Sequence, residues 1–237
     1  MTMSGVAGND RPPRWRAGWR GLVLAVVGFL GIAIGLISWA ISSPIGASPD
    51  DDYHLGSIWC PWPVQTSGCD YREEDGAVVA VTVPESVARA SDCYAFHPEI
   101  SAACQDEFDD HALAETERFD DGGYPPGYYK FHHLLVGEDV FRSVVSMRVL
   151  NVLLGLCATM LVAVFADSRL RQTIFIAAVA AWVPMGVYFI ASNNPSSWAI
   201  TGVFVYGSGL LAATRASGRR RYIELGLAAL GAVMAAT

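Results

Sequence analysis

GLVLAVVGFLGIAIGLISWAI, residues 21–41, decides the fold, because these twenty-one residues carry no charge. A helix of that length reaches about 31 Å, the thickness of a bilayer's hydrocarbon layer. Working outward, comparable runs follow at Ser143–Ala166, Gln172–Ile190 and Trp198–Thr214. A fifth opens near Tyr222 and is still apolar at Thr237. The chain is 52% hydrophobic and only 16% charged, a balance foreign to ordinary soluble domains. These runs predict an all-α polytopic membrane protein with about five transmembrane helices in this piece. A span needs about 20 residues, so residues 222–237 read as the start of helix five, and the chain as the N-terminal part of a longer protein.

Charge sets the expected orientation. Arg11, Arg14, Arg16 and Arg20 precede the first run, Arg169 and Arg171 separate the second and third, and Arg215 with Arg219–Arg221 separates the fourth and fifth. Basic short loops stay cytoplasmic. Residues 1–20 are therefore a cytoplasmic tail, anchored at the interface by Trp15 and Trp19, and residues 42–142 lie outside the plasma membrane. The alternative, a cleaved signal peptide, suits residues 21–47 poorly: the apolar stretch is too long and Ile45-Gly46-Ala47 is a weak cleavage site.

Residues 42–141 hold twenty acids against Arg72, Arg89, Arg118 and Lys130. Phosphate binding needs clustered cations, which excludes nucleic acid as a partner for this loop. Cys60, Cys69, Cys93 and Cys104 all fall in it, while Cys157 sits in the second run. An even number in an oxidising compartment reads as disulfides with three possible pairings. Cys60–Cys69 with Cys93–Cys104 is preferred, since short loops close readily. Zinc is the competing use, and no C-x-x-C supports it. A segment this long should fold as a small cap. Within it, Ser48 and Pro49 predict a helix from Pro49 to Trp59 with Ser48 as its N-cap. Ala77–Val83 predicts a strand, Glu85–Ala90 a helical turn, and Phe108–Phe119 a surface helix presenting Leu113 and Phe119. The aromatic stretch Tyr124–His133 suits the headgroup level.

Chemistry concentrates at Asp50-Asp51-Asp52-Tyr53-His54, just beyond the first run. On a helix begun at Pro49, Asp50 and His54 share a face. Three adjacent carboxylates in a dry site cannot all stay ionised, so one has a raised pKa and can act as a base, or the group binds a divalent cation (Mg or Mn). The competing reading is that these acids only complement the helix dipole. His132 and His133 diverge by about 100° on a helix and read as interfacial. Arg148, about a turn and a half inside the second run, either snorkels outward or pairs with an external carboxylate or a lipid phosphate. It reads as the only intramembrane ionisable side chain, which argues against a transporter. The turn Asn193–Ser197 falls on the same side as the acids and can meet them above the bundle. No nucleotide-binding, zinc-protease or serine-hydrolase motif is present.

Three segments carry a resemblance. Ser48-Pro49-Asp50-Asp51-Asp52-Tyr53-His54 resembles the P-D-E-x-x-H element of a bacterial family of polytopic membrane proteins of unassigned function, grouped by fold with the GT-C glycosyltransferases. Tyr124-Pro125-Pro126-Gly127-Tyr128-Tyr129 is similar to that family's P-P-L-Y-Y element, and Asn194-Pro195-Ser196 to its N-P-x-G element. The Cys93-Tyr94-Ala95-Phe96 and Ala103-Cys104 spacing looks like members from high-G+C bacteria. Asp51 stands where the family has Glu, Gly127 where it has Leu, and Ser197-Trp198 where it has Gly-Leu. The resemblance implies an inverting transfer of sugar from a polyprenyl-phosphate donor to a cell-envelope glycan acceptor at the outer face of the bacterial plasma membrane. It implies Asp50 as the base, Asp51 as the alternate, His54 as the group that orients it or contacts phosphate, and Arg148 as the offset to lipid phosphate charge. Asp52, Tyr128, Tyr129, His132 and Asn194 are the accompanying substrate-binding candidates. The alternative is a non-enzymatic envelope protein whose acidic loop binds a partner, cation or glycan.

Overall fold

The computed structural model describes residues 14–182 and 185–236, with the side chains of residues 14–22, 25 and 182 left aside. The Trp15/Trp19 anchor pair and residues 1–13 of the tail therefore lie outside the description. The architecture is mostly helical. Helix α1 (Arg14–Ser42) leads into a cap made of α2 (Asp51–Trp59), β1 (Tyr71–Glu74), β2 (Ala77–Pro84), α3 (Glu85–Ala88), β3 (Leu113–Thr116) and α4 (Gly127–His133). The chain then returns through α5 (Val140–Phe165), α6 (Ser168–Trp182), α7 (Met185–Ile190), α8 (Ser196–Arg215) and α9 (Arg219–Ala235).

Among the described residues, α5 and α8 are long and apolar enough to cross a bilayer. That is two candidate spans where hydropathy predicts about five. The described apolar part of α1, Val26–Ser42, is shorter. The described residues of the run Gln172–Ile190 lie in α6 and α7, on either side of residues 183–184. Helix α9 opens on three arginines and carries Glu224, which lowers its apolar content.

Helices α8 and α9 pack backbone to backbone. A Cβ on Gly202 would lie 2.5 Å from the Gly231 oxygen and the Ala235 nitrogen, and one on Gly231 2.5 Å from the Tyr206 nitrogen. Small residues permit this approach where neighbouring helices cannot rely on the hydrophobic effect. Helix α5 runs against α1, α6, α8 and α9 and so forms the centre of the bundle.

The cap is not all-α. Its three strands form an antiparallel sheet in the order β1-β2-β3. Asp75 and Gly76 turn the β1–β2 hairpin with φ of 51° and 81°, the left-handed pair that suits tight hairpins. Strand β2 matches the expectation for Ala77–Val83. The surface helix expected over Phe108–Phe119 is instead strand β3, paired with β2 from Val81↔Thr116 to Pro84↔Leu113. The free edge of β2 needs hydrogen-bond partners, and pairing overrides the weak helical pattern. Leu113 is consequently exposed while Phe119 is buried. Two disulfides close the cap locally, Cys60–Cys69 and Cys93–Cys104. The core beneath the sheet gathers Leu55, Ile58, Val64, Val81, Val83 and Val87 with Tyr128, Tyr129 and Met147. Tyr128, Tyr129 and His132 of α4 are thus interior residues, not headgroup anchors.

Candidate functional site

The three aspartates point to different places because the helix begins later than Pro49. Asp50 precedes α2 in a left-handed conformation, φ 56° and ψ 21°, and Ser48 offers its carbonyl, not its side chain, to the Asp51 amide at 3.0 Å. Outside glycine this conformation is uncommon, though Asp tolerates it. The Asp50 carbonyl accepts from the His54 amide at 2.9 Å, yet the two side chains do not share a face.

Asp51 turns inward. It is fully buried, as is Arg148, and Arg148 Nη2 donates to Asp51 Oδ2 at 2.8 Å. The guanidinium also donates to the carbonyls of Ser43 at 2.7 Å and Pro44 at 3.0 Å. The Gly46 amide donates to Asp51 Oδ2 at 3.1 Å. Burial pushes the Asp51 carboxyl above its ordinary pKa, and Arg148 with the Gly46 and Asn193 amides draws it back. Arg148 therefore does not snorkel. It fastens the end of α1 and the start of α2 to α5.

Asp50 and Asp52 turn outward and share one cation. Arg118 Nη2 donates to Asp50 Oδ1 at 3.0 Å and to Asp52 Oδ1 at 3.2 Å, and its Nε contacts Asp52 Oδ2. Gly56 makes this possible, because a Cβ there would lie 2.6 Å from the Arg118 carbonyl oxygen. The missing side chain lets the segment following β3 lie directly on α2. Asp50, Asp52 and Arg118 line a groove of about 900 Å³ together with Tyr94, Phe96 and His97 of the cap and Tyr188 of α7. Tyr188 Oη donates to the Ala47 carbonyl at 2.6 Å, tying a bundle helix to the groove's edge.

His54 joins an aromatic group. Its Nδ1 lies 3.0 Å from Tyr129 Oη, and its ring contacts Tyr53, Tyr124 and Tyr129 at centroid distances of 5.4 to 6.0 Å. Burial lowers the His54 pKa to about 4, with Asp50 and Asp52 opposing and Arg118 assisting. It is a neutral ring near pH 7. Tyr53 is pushed up to about 12 by burial and by the charge of Asp120, whose Oδ1 accepts from Tyr53 Oη and the amides of Gly122 and Tyr124.

A second buried network lies behind α4. Asn151 Nδ2 donates to Tyr128 Oη at 3.0 Å and to the Ser192 carbonyl at 2.9 Å, and its Oδ1 accepts from the Trp198 indole at 2.9 Å. Those partners fix the amide's orientation. His132 Nε2 lies 2.9 Å from that same Oδ1, and its Nδ1 2.9 Å from the Tyr128 carbonyl. Both ring nitrogens face acceptors, so a neutral ring can donate to only one. Burial lowers the His132 pKa against these two bonds. His133 bonds the Ile58 carbonyl at 2.9 Å. Asn194 Nδ2 donates to the Pro49 carbonyl at 3.0 Å, so the Asn193–Ser197 turn does reach the acidic segment.

The three quoted sequence elements therefore converge, but with divided tasks. Asp50 and Asp52 reach the groove. Asp51, Arg148, Tyr128, Tyr129, His132 and Asn194 are buried and brace it. Arg118 and Asn151 were missed in the sequence. The scarcity of cations in the acidic loop was a usable signal for Arg118, and Asn151 had none beyond a polar residue in an apolar run. Glu224 was missed too: it is fully buried in α9, and neither carboxyl oxygen has a bond partner among the described residues. Arg148 is thus not alone within the bundle. Among the described residues no group of three or more His, Cys, Asp or Glu is placed to hold a metal ion. The Arg118 guanidinium already bridges Asp50 and Asp52, in the position a divalent cation would need.

A family model described as "Predicted membrane protein (DUF2142)" matches residues 33–237. The match covers most of the chain, which belongs to this family of predicted membrane proteins. No curated protein and no solved structure matches it.

Proposed function

We propose that this chain carries the acceptor-activating site of an integral membrane glycosyltransferase of GT-C type. It takes sugar from a polyprenyl-phosphate donor and passes it to a cell-envelope glycan at the outer membrane face. The observation that carries the reading is the placement of Asp50, Asp52 and Arg118 along one groove whose lining includes Tyr188 from the helical bundle. A lipid-linked substrate needs this arrangement, with polar chemistry within reach of a headgroup.

In this reading Asp50 accepts the proton of the acceptor hydroxyl as that oxygen attacks the sugar's anomeric carbon. The lipid phosphate leaves from the opposite face, so configuration inverts. Asp50 suits the part because its carboxylate is exposed and its backbone is held off the helix, with one oxygen bonded to Arg118. Arg118 also serves the departing phosphate in place of Arg148, which is fully buried with its Nη1 and Nη2 given to Asp51 and three carbonyls. Asp51 acts at one remove, by fixing the start of α2. Arg118 neutralises the acid pair where a divalent cation would otherwise sit.

The test is genetic. Cells lacking the gene are complemented with the parent protein, Asp50→Asn, or Asp51→Asn, and their surface glycans are compared by mass spectrometry. Asp50→Asn should leave the glycan defect of the deletion, although the protein accumulates in the membrane. A profile fully restored by Asp50→Asn removes this residue from the chemistry and favours the envelope-binding alternative.

A further inference from the structure

The part of the groove lined by Tyr94–Pro98 is idle in that chemistry, yet its loop is held in place at several points. Residues Tyr94–Pro98 sit in a loop closed by Cys93–Cys104, eleven residues apart. The base of the loop is pinned to the segment after α1: Tyr94 Oη donates to the Ile45 carbonyl at 2.8 Å, and Gln105 Nε2 donates to the same carbonyl at 2.6 Å and to that of Ala90. On this base stands Phe96, fully exposed at 101% and held at φ 64°. A phenylalanine rarely adopts the left-handed region, and such strain collects where ligands are held. The ring contributes nothing to a core. It lines the groove together with Asp50, Asp52, His97 and Arg118.

We propose that this groove is a glycan-binding cleft in which Phe96 is the stacking platform for a neutral sugar ring of the acceptor. A sugar offers two kinds of surface, a C–H face and an edge of hydroxyls. Phe96 matches the first through its π face. The two carboxylates accept from vicinal hydroxyls, and the guanidinium and imidazole donate to ring and hydroxyl oxygens. A few directed polar groups beside an apolar plate fix the orientation of a bound ring. An exposed Phe near a membrane could instead dip into lipid. The charged lining of the groove disfavours acyl chains, and the neighbouring Asp92, Glu99, Asp106 and Glu107 disfavour an anionic headgroup layer. The inference rests on reading the groove as the acceptor's site, and adds the residue that grips the sugar.

Phe96→Gly is the informative variant, because glycine accepts φ 64° without strain and the loop remains closed. Protein in lipid nanodiscs is titrated with a panel of neutral hexose and pentose trisaccharides, and sugar transfer is assayed on the same preparations. The expected result is binding of at least one trisaccharide, weakened about tenfold in Phe96→Gly and retained in Phe96→Trp, with both variants unfolding no earlier than the parent. Equal affinity in the parent and Phe96→Gly overturns the platform, as does failure of the parent to bind any member of the panel. Quenching of Phe96→Trp by brominated lipid, above that of the parent, assigns the ring to the bilayer and also overturns it. If binding is lost in Phe96→Gly while no preparation transfers sugar, the platform stands and the transferase reading falls. If transfer depends on Asp50 while Phe96 is indifferent, the reverse holds.

Discussion

Replacing Arg148 of α5 by methionine should be among the most damaging single changes where the bundle meets the cap. The guanidinium is fully buried and satisfies four oxygens: Asp51 Oδ2 and the carbonyls of Ala40, Ser43 and Pro44. Methionine fills much of the volume but supplies no donor. Asp51 would keep the Gly46 amide on Oδ2 and the Asn193 amide beside it, but no charged partner among the described residues. Removing one member of a buried ion pair costs about 3–5 kcal/mol, chiefly because the other charge is left uncompensated. Asp51→Leu combined with Arg148→Met removes that charge, so the double variant should recover a substantial part of the loss. It should not recover all, since the Ala40 and Ser43 carbonyls lose the Arg148 donor, at about 1–3 kcal/mol for a buried group, while that of Pro44 keeps the Ala47 amide. The assay is unfolding of the detergent-solubilised protein with increasing dodecyl sulfate, followed by tryptophan fluorescence, as a double-mutant cycle. An Arg148→Met protein that unfolds at the parent's midpoint refutes the account of Arg148 as the fastener between α1, α2 and α5. So does a double variant whose loss equals the sum of the two singles.

Two further outcomes follow from the same geometry. His54 takes a proton only near pH 4 when folded but at its ordinary value of 6.5 when unfolded, so the unfolded state binds more protons between those values. Stability should fall as pH drops from about 6.5 to 4, by up to about 3 kcal/mol from this residue; His54→Gln should flatten part of that slope in a pH series of thermal melts, with His132, shifted in the same direction, accounting for more. Gly56→Ala should push the Arg118 segment off α2 at a cost of about 1–3 kcal/mol and abolish sugar transfer with Asp50 intact; an alanine variant with parental melting and transfer would show that the close approach at Gly56 is not required.

How much of this could be read in the chain differs from element to element. The apolar runs at Ser143–Ala166 and Trp198–Thr214 correspond to α5 and α8, because an uninterrupted span of that length has few alternatives. Strand β2 was legible from its valines between Gly76 and Pro84, and the local cysteine spacing gave both disulfides. Strand β3 was not legible, since Leu113–Thr116 takes its conformation from the edge of β2 and not from its own pattern. The aspartate triplet was found but misread as one cluster. Whether α2 starts at Pro49 or Asp51 decides where three side chains point, and that start is set by the remote Asn194–Pro49 and Arg148–Asp51 contacts. Arg118 lies 66 and 68 residues from its partners, and no periodicity connects them. The groove is therefore a tertiary fact. The motifs indicated which segments meet, while which acid faces outward depended on packing.

Activation of the acceptor by the outward carboxylate of Asp50, and not by the buried one of Asp51, is the step on which the proposed function turns. Its most direct test is single-turnover sugar transfer in proteoliposomes, from a synthetic polyprenyl-phosphate sugar to an envelope glycan, comparing Asp50→Asn with the parent. Loss of at least about a hundredfold in the chemical step, with disulfides and melting retained, is the predicted result. Transfer by Asp50→Asn at the parental rate contradicts it.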